Sequence, residues 1–186
     1  MNDKEYRAKL IEWDKKSLDK RVERWKQLIP ANYDVSLPEL VWSYLSEADD
    51  LFIRGHFLSV IVLSASIVEL VLADQIKSKS RMTKKEVEHF GLEQLSILGH
   101  RLGILDDKET SQLNELRRQR NWLIHGNVGR LTQMAKKRYR VSGGDDSFLD
   151  AEFYVQSGFA GGIDQDARLH LRLVRDLTVN FYRPKP

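Results

Sequence analysis

The chain has 186 residues, a formal net charge of +3, 41% hydrophobic and 31% charged side chains, 4 Pro and 11 Gly, the balance of one helix-rich globular domain spanning 1–186 and not of a disordered or fibrous chain. Cysteine is absent, which excludes disulfides, zinc–thiolate sites and cysteine nucleophiles and is compatible with a reducing compartment. The opening "MNDKEYRAKLIEW" has neither the apolar core nor the cleavage site of a secretory signal, so a cytoplasmic protein is expected.

Along the first 30 residues Tyr6, Leu10, Ile11, Leu18, Val22, Trp25 and Ile29 recur mostly at three- and four-residue steps, predicting an amphipathic helical extension with room for one break. Pro30 ends it, and Pro38 opens a second helix with Val41, Tyr44, Leu45, Ala48, Leu51 and Phe52 as its apolar stripe, closed by a turn at Gly55. The run "FLSVIVLSASIVELVL", Phe57 to Leu72, is shorter than the roughly 20 residues of a membrane span and carries Ser59, Ser64, Ser66 and Glu69. It reads as a buried central helix, and no membrane partner is expected.

After the polar linker "KSKSR", Thr83 followed by Glu86 is a capping-box signal for a further helix or broken pair reaching about Gly103. Asp106 with Glu109 starts the next helix, which continues through Leu113, Leu116, Leu123 and Ile124 until Gly126. The segment 128–162 contains "KKRYRVSGGDDSFLDAEFYV", two strand candidates around a Gly-Gly-Asp-Asp turn, and is expected to form an insertion or hairpin. A last amphipathic helix is predicted from about Asp164, with Leu169, Leu173, Leu177 and Phe181 at four-residue steps. The expected fold is an all-α antiparallel helical bundle with a small β-hairpin insertion before the C-terminal helix.

Several chemistries are missing. There is no glycine-rich phosphate loop, dinucleotide fingerprint or nucleophile elbow. "EVEH", Glu86 to His89, is a single Glu-x-x-His where carboxylate-bridged di-iron sites need two and further glutamates, and His56, His100 and His170 stand in no metal-ligand spacing. No metal and no cofactor are expected.

The stretch "LRRQRNWLIHGN", Leu116 to Asn127, stands apart. Helical stepping of about 100° per residue gathers Leu113, Leu116, Leu123 and Ile124 on one side with Arg120 among them, aligns Asn121 and His125 on a separate polar face, and turns Trp122 away from the core. Glu69, alone as a charge in the most apolar helix, needs a partner, and Arg120 is the candidate. Between Leu116 and Gly144 lie eight basic residues, Arg117, Arg118, Arg120, Arg130, Lys136, Lys137, Arg138 and Arg140, and no acidic one. Such a run is either a solvated face or the electrostatic footprint of a polyanion.

"RNWLIH", Arg120 to His125, resembles the Arg-(four to six residues)-His signature of the HEPN superfamily, including the Asn after the Arg. The upstream "GHFLSVIVLSASIVELVLADQI" and "LSILGHRLGILDDKETSQLNELRRQRNWLIHG" are similar to the helices that precede that signature; the resemblance covers about Leu40 to Gly126 and the final helix. It implies an all-α bundle that forms a homodimer through the motif helix and, in many members, a metal-independent endoribonuclease used as a toxin or in phage defence. Carried onto this chain, Arg120, Asn121 and His125 become the catalytic set, Glu69 an orienting residue, and Arg117, Arg118, Trp122, Arg130, Lys136 and Lys137 RNA contacts. An antitoxin or regulatory protein is a further implied partner. Mannitol-operon-repressor-like proteins resemble the same helices, and they imply the alternative of a non-catalytic binding module with a nucleic-acid or protein partner.

Overall fold

A computed structural model describes residues 3–28, 35–125 and 159–183. They form seven helices: α1 (Asp3–Leu28), α2 (Glu39–Arg54), α3 (Phe57–Lys79), α4 (Lys84–Val87), α5 (Leu92–Arg101), α6 (Asp107–Ile124) and α7 (Phe159–Tyr182). No strand occurs among the described residues, and the fold is an all-α bundle. The hairpin expected within 128–162 lies outside them, except that 159–162 already belong to α7, which starts before Asp164.

The apolar character of α3 dictates its place at the centre. Val60, Ile61, Ala65, Ile67, Val68, Val71, Leu72 and Ile76 are all buried, and a helix apolar on most sides must be covered on most sides. It packs against α2, α4, α5, α6 and α7. Burying one such side chain contributes about 1.5–3 kcal/mol, so this helix is the main source of cohesion. It is also long and apolar enough to cross a membrane, but here its side chains make the bundle core.

Local signals set the boundaries. Gly55 adopts φ +85°, ending α2 with Gly55 N–H donating to Phe52 O at 3.0 Å and His56 N–H to Leu51 O at 2.8 Å. Val41, Leu45, Ala48 and Phe52 are buried, with Tyr44 and Leu51 packed at the edge. Thr83 and Glu86 form the expected capping box, but α4 closes after one turn and α5 restarts at Leu92. The region is the broken pair that the sequence allowed.

α1 runs unbroken, and Ile11, Leu18, Val22 and Trp25 are 59%, 53%, 41% and 54% exposed. Its C-terminal part is what holds it. Arg24 donates to Ile53 O at 3.1 Å and lies 5.0 Å above the Phe57 ring, and Leu28 O accepts from Arg175 Nη1 at 3.0 Å. Arg175 also pairs with Asp49, so α1, α2 and α7 meet at one guanidinium. Burial raises the Asp49 carboxyl above its ordinary value, with Arg175 offsetting part of that rise.

α7 corrects one expectation. Leu173, Leu177 and Phe181 face inward, but Leu169 is 60% exposed. A four-residue step overshoots the helical turn by about 40°, so a row of such steps winds off the core face. The buried set is Ala167, His170, Leu171, Leu173, Val174, Leu177 and Thr178, most of them at alternating three- and four-residue intervals.

Candidate anion site at the end of the motif helix

α6 begins as its sequence directs. Glu109 N–H donates to Asp106 Oδ1 at 2.7 Å, and Asp106 N–H donates to Glu109 Oε2 at 2.9 Å, the reciprocal bonds of a capping box. Leu113, Leu116 and Gln119 are its buried residues. The buried face is therefore turned toward Gln119, and Ile124, expected in the apolar stripe, is 51% exposed. The reason is α7. Gln119 Nε2 donates to Asp166 Oδ2 at 3.1 Å and to Glu115 Oε1 at 3.2 Å, while its Oε1 lies 3.0 Å from His170 Nε2. Sequence reading passed over Gln119, although its position three residues after Leu116 carried the core spacing.

Glu69 does not pair with Arg120. Its Oε1 accepts the backbone N–H of Leu92 at 3.0 Å. Leu92 is the first residue of α5, where N–H groups have no partner inside the helix and a carboxylate is electrostatically favoured. That demand takes the charge that the expected ion pair required.

Arg120 is left half-buried. Its one hydrogen bond is a long one, Nη1 to Asn121 Oδ1 at 3.5 Å, and its buried Nε has no acceptor. Arg117 Nε likewise has no acceptor, but the other half-buried arginines among the described residues have partners at their remaining donors: Arg117 pairs with Glu93 at 2.7 Å, Arg175 with Asp49, and Arg24 donates to a backbone carbonyl. Among these four only Arg120 has neither a carboxylate nor a backbone carbonyl as its acceptor, its one acceptor being the side-chain amide of Asn121.

The other candidate residues are spread around this point. Arg118 pairs with Glu115 at 2.5 Å, so neither it nor Arg117 is an uncommitted cation. Trp122 and Asn121 are half-buried. His125 is exposed at the C-terminal cap of α6, its N–H donating to Asn121 O at 3.0 Å. The fold thus brings Arg120 and Asn121 into contact, while no hydrogen bond among the described residues holds the His125 ring. Arg130, Lys136, Lys137 and Gly126 lie outside the described residues.

Beside the motif a groove of about 410 Å³ opens between Leu51 of α2, Leu58, Val62 and Leu63 of α3, and Leu123 and Ile124 of α6. Arg120 presents a planar set of N–H donors that its own chain leaves underused. Partial removal from water strengthens their attraction for an anion. Arg120, Asn121 and His125 together supply a fixed cation, an amide and an imidazole. Comparison of the chain with protein-family models, curated proteins and solved structures finds no match, so the functional reading rests on this geometry.

Proposed function

We propose that this chain is a metal-independent endoribonuclease of the HEPN type, with Arg120, Asn121 and His125 as its catalytic set. The observation that supports this most is the half-buried Arg120, which no carboxylate of the described chain neutralises. In the proposed reaction the ribose 2′-oxygen attacks the adjacent phosphorus and the bond to the 5′-oxygen breaks. The products are a 2′,3′-cyclic phosphate and a 5′-hydroxyl end. Arg120 holds the phosphate and stabilises its developing charge, Asn121 positions it, and His125 takes the 2′-hydroxyl proton or supplies one to the leaving oxygen.

One chain does not orient the His125 ring. A homodimer through the motif helix would supply that orientation by setting the His125 of one protomer against the Arg120 of the other. RNA is the substrate, DNA lacks the attacking hydroxyl, and a cytoplasmic toxin or phage-defence role, with or without an antitoxin or regulatory protein, fits that activity.

The same exposed His125 supports a second reading, a non-catalytic module in which Arg120 binds an anion and nothing is cut. Incubating labelled RNA with wild type and His125→Ala in excess chelator separates the two. The proposal expects cyclic-phosphate ends from the wild type only. Binding without cleavage by either protein establishes the second reading, and equal cleavage by both removes His125 from the mechanism.

A further inference from the structure

The last turn of α3 and the start of α4 carry Lys77, Lys79, Arg81, Lys84 and Lys85, all exposed. The fold adds a sixth cation from far along the chain. Gln75 Nε2 donates to Phe181 O at 3.4 Å and Tyr182 Oη donates to Asp74 Oδ2 at 3.0 Å, which brings exposed Arg183 to the same end of the bundle.

The carboxylates nearby are already engaged. Asp74 accepts from Tyr182, Glu86 accepts from Thr83 N–H and Oγ1 at 2.7 Å each, and Glu88 pairs with Lys84 at 3.4 Å. Among the described residues Lys77, Lys79, Arg81, Lys85 and Arg183 make no ion pair. Folding does not call for the whole cluster. Lys77 and Lys79 suit the C-terminal end of α3, but Arg81, Lys85 and Arg183 are exposed, stand outside that helix and serve no ion pair among the described residues.

We infer that this end of the bundle is a second polyanion-binding face, one that takes the phosphodiester backbone of a nucleic acid. It is distinct from the motif, which lies beside Leu63, sixteen residues before Lys79 on α3 and so about 24 Å away along the helix. The inference goes beyond the cleavage reading and does not depend on it. A basic face that binds membrane carries apolar side chains to insert among the lipids. The exposed large hydrophobic residues of this protein, Ile11, Leu18, Val22, Trp25, Leu40, Trp42, Leu58, Ile97, Ile124 and Leu169, include none in this cluster. Long cationic side chains around a helix end contact phosphates without reading bases, so the face binds without sequence preference.

The test uses the full chain in a His125→Ala background, so that bound RNA stays intact. Affinity for a mixed-sequence RNA oligonucleotide and its DNA counterpart is measured across a salt series, with and without Lys79→Gln, Arg81→Gln and Lys85→Gln combined. Each lost phosphate contact lowers the log–log salt slope by about 0.7, so the triple variant is expected to lose about 2 from the slope and at least roughly tenfold in affinity near 50 mM salt. RNA and DNA should lose alike. A second triple variant, Lys4→Gln, Arg7→Gln and Lys9→Gln on α1, should bind as the parent does, and unchanged circular dichroism excludes misfolding. The inference is overturned if the parent binds neither oligonucleotide, if slope and affinity are unchanged, if the α1 variant loses as much, or if only co-sedimentation with phosphatidylserine vesicles is lost. A wild type that binds through this face yet never cuts RNA would sustain the inference and defeat the cleavage reading.

Discussion

Two arginines, replaced by the same residue, separate a structural guanidinium from one held for a ligand. Arg175 is 12% exposed and its partner Asp49 is 26% exposed. Arg175→Met leaves that carboxylate facing the packed ends of α1 and α7 and removes a donor from Leu28 O. Breaking a buried pair costs about 3–5 kcal/mol; the quarter of the Asp49 side chain still in water reduces this to about 2–4 kcal/mol. For a domain of this size one kcal/mol moves the melting temperature by about 2–4 °C, so Arg175→Met should melt roughly 4–16 °C lower. Arg120 has no such partner to strand, and methionine keeps the packing of its aliphatic stem. Arg120→Met should therefore stay within about 1 kcal/mol, roughly 3 °C, of wild type. Thermal unfolding followed by far-UV circular dichroism measures both. If Arg120→Met falls as far as Arg175→Met, Arg120 is tying the core together and its proposed role as a phosphate ligand loses its physical basis.

Gly55→Ala puts a Cβ at φ +85° and 2.7 Å from Arg24 Nη1, and should cost about 1–2 kcal/mol in chemical denaturation; an unchanged midpoint would contradict the left-handed turn. Glu69→Ala leaves the Leu92 N–H without its acceptor and should cost about 0.5–2 kcal/mol, whereas Glu69→Gln, which keeps an oxygen there, should cost less. Equal losses would mean that the charge and not the cap matters. Burial, with Asp74 beside it, raises the Tyr182 hydroxyl above its ordinary value of 10.0. That stabilisation is complete below pH 10 and declines as the pH rises past it, because the unfolded chain then releases a proton that the folded one keeps. Urea unfolding of wild type and Tyr182→Phe should show a gap that narrows above that pH, and a constant gap would refute the assignment. His125→Ala, at an exposed cap, should leave the unfolding free energy within about 0.5 kcal/mol of wild type, so any loss of RNA cleavage would be chemical in origin.

What the sequence made legible was local. Asp106 with Glu109, Thr83 with Glu86, Pro38 and Gly55 each act within four residues, and each marks an element boundary where expected. The partner of Glu69 was not legible. The Leu92 N–H that it satisfies is 23 residues away and becomes available only where α5 begins against α3. Leu169 shows the same limit in another form, since leucines at even spacing suggest a stripe while the buried face follows the alternation that α3 imposes. At the motif, stepping around an ideal helix found the separate faces of Arg120 and His125. It missed the turn of α6 toward Gln119, because that turn is decided by Asp166 and His170 on α7.

The Gln119 side chain also fixes where a proton sits. Its amide nitrogen faces two carboxylates, Glu115 and Asp166, to which the amide oxygen has no hydrogen to give, so the amide can lie only one way round. Its oxygen is then purely an acceptor, and His170 must carry hydrogen on Nε2 to meet it. Rolling α6 about its axis would carry Gln119 away from both Asp166 and His170 on α7. The direction in which Arg120 leaves the helix is thus indexed from the opposite side of the chain, by the tautomer of a histidine fifty residues further on.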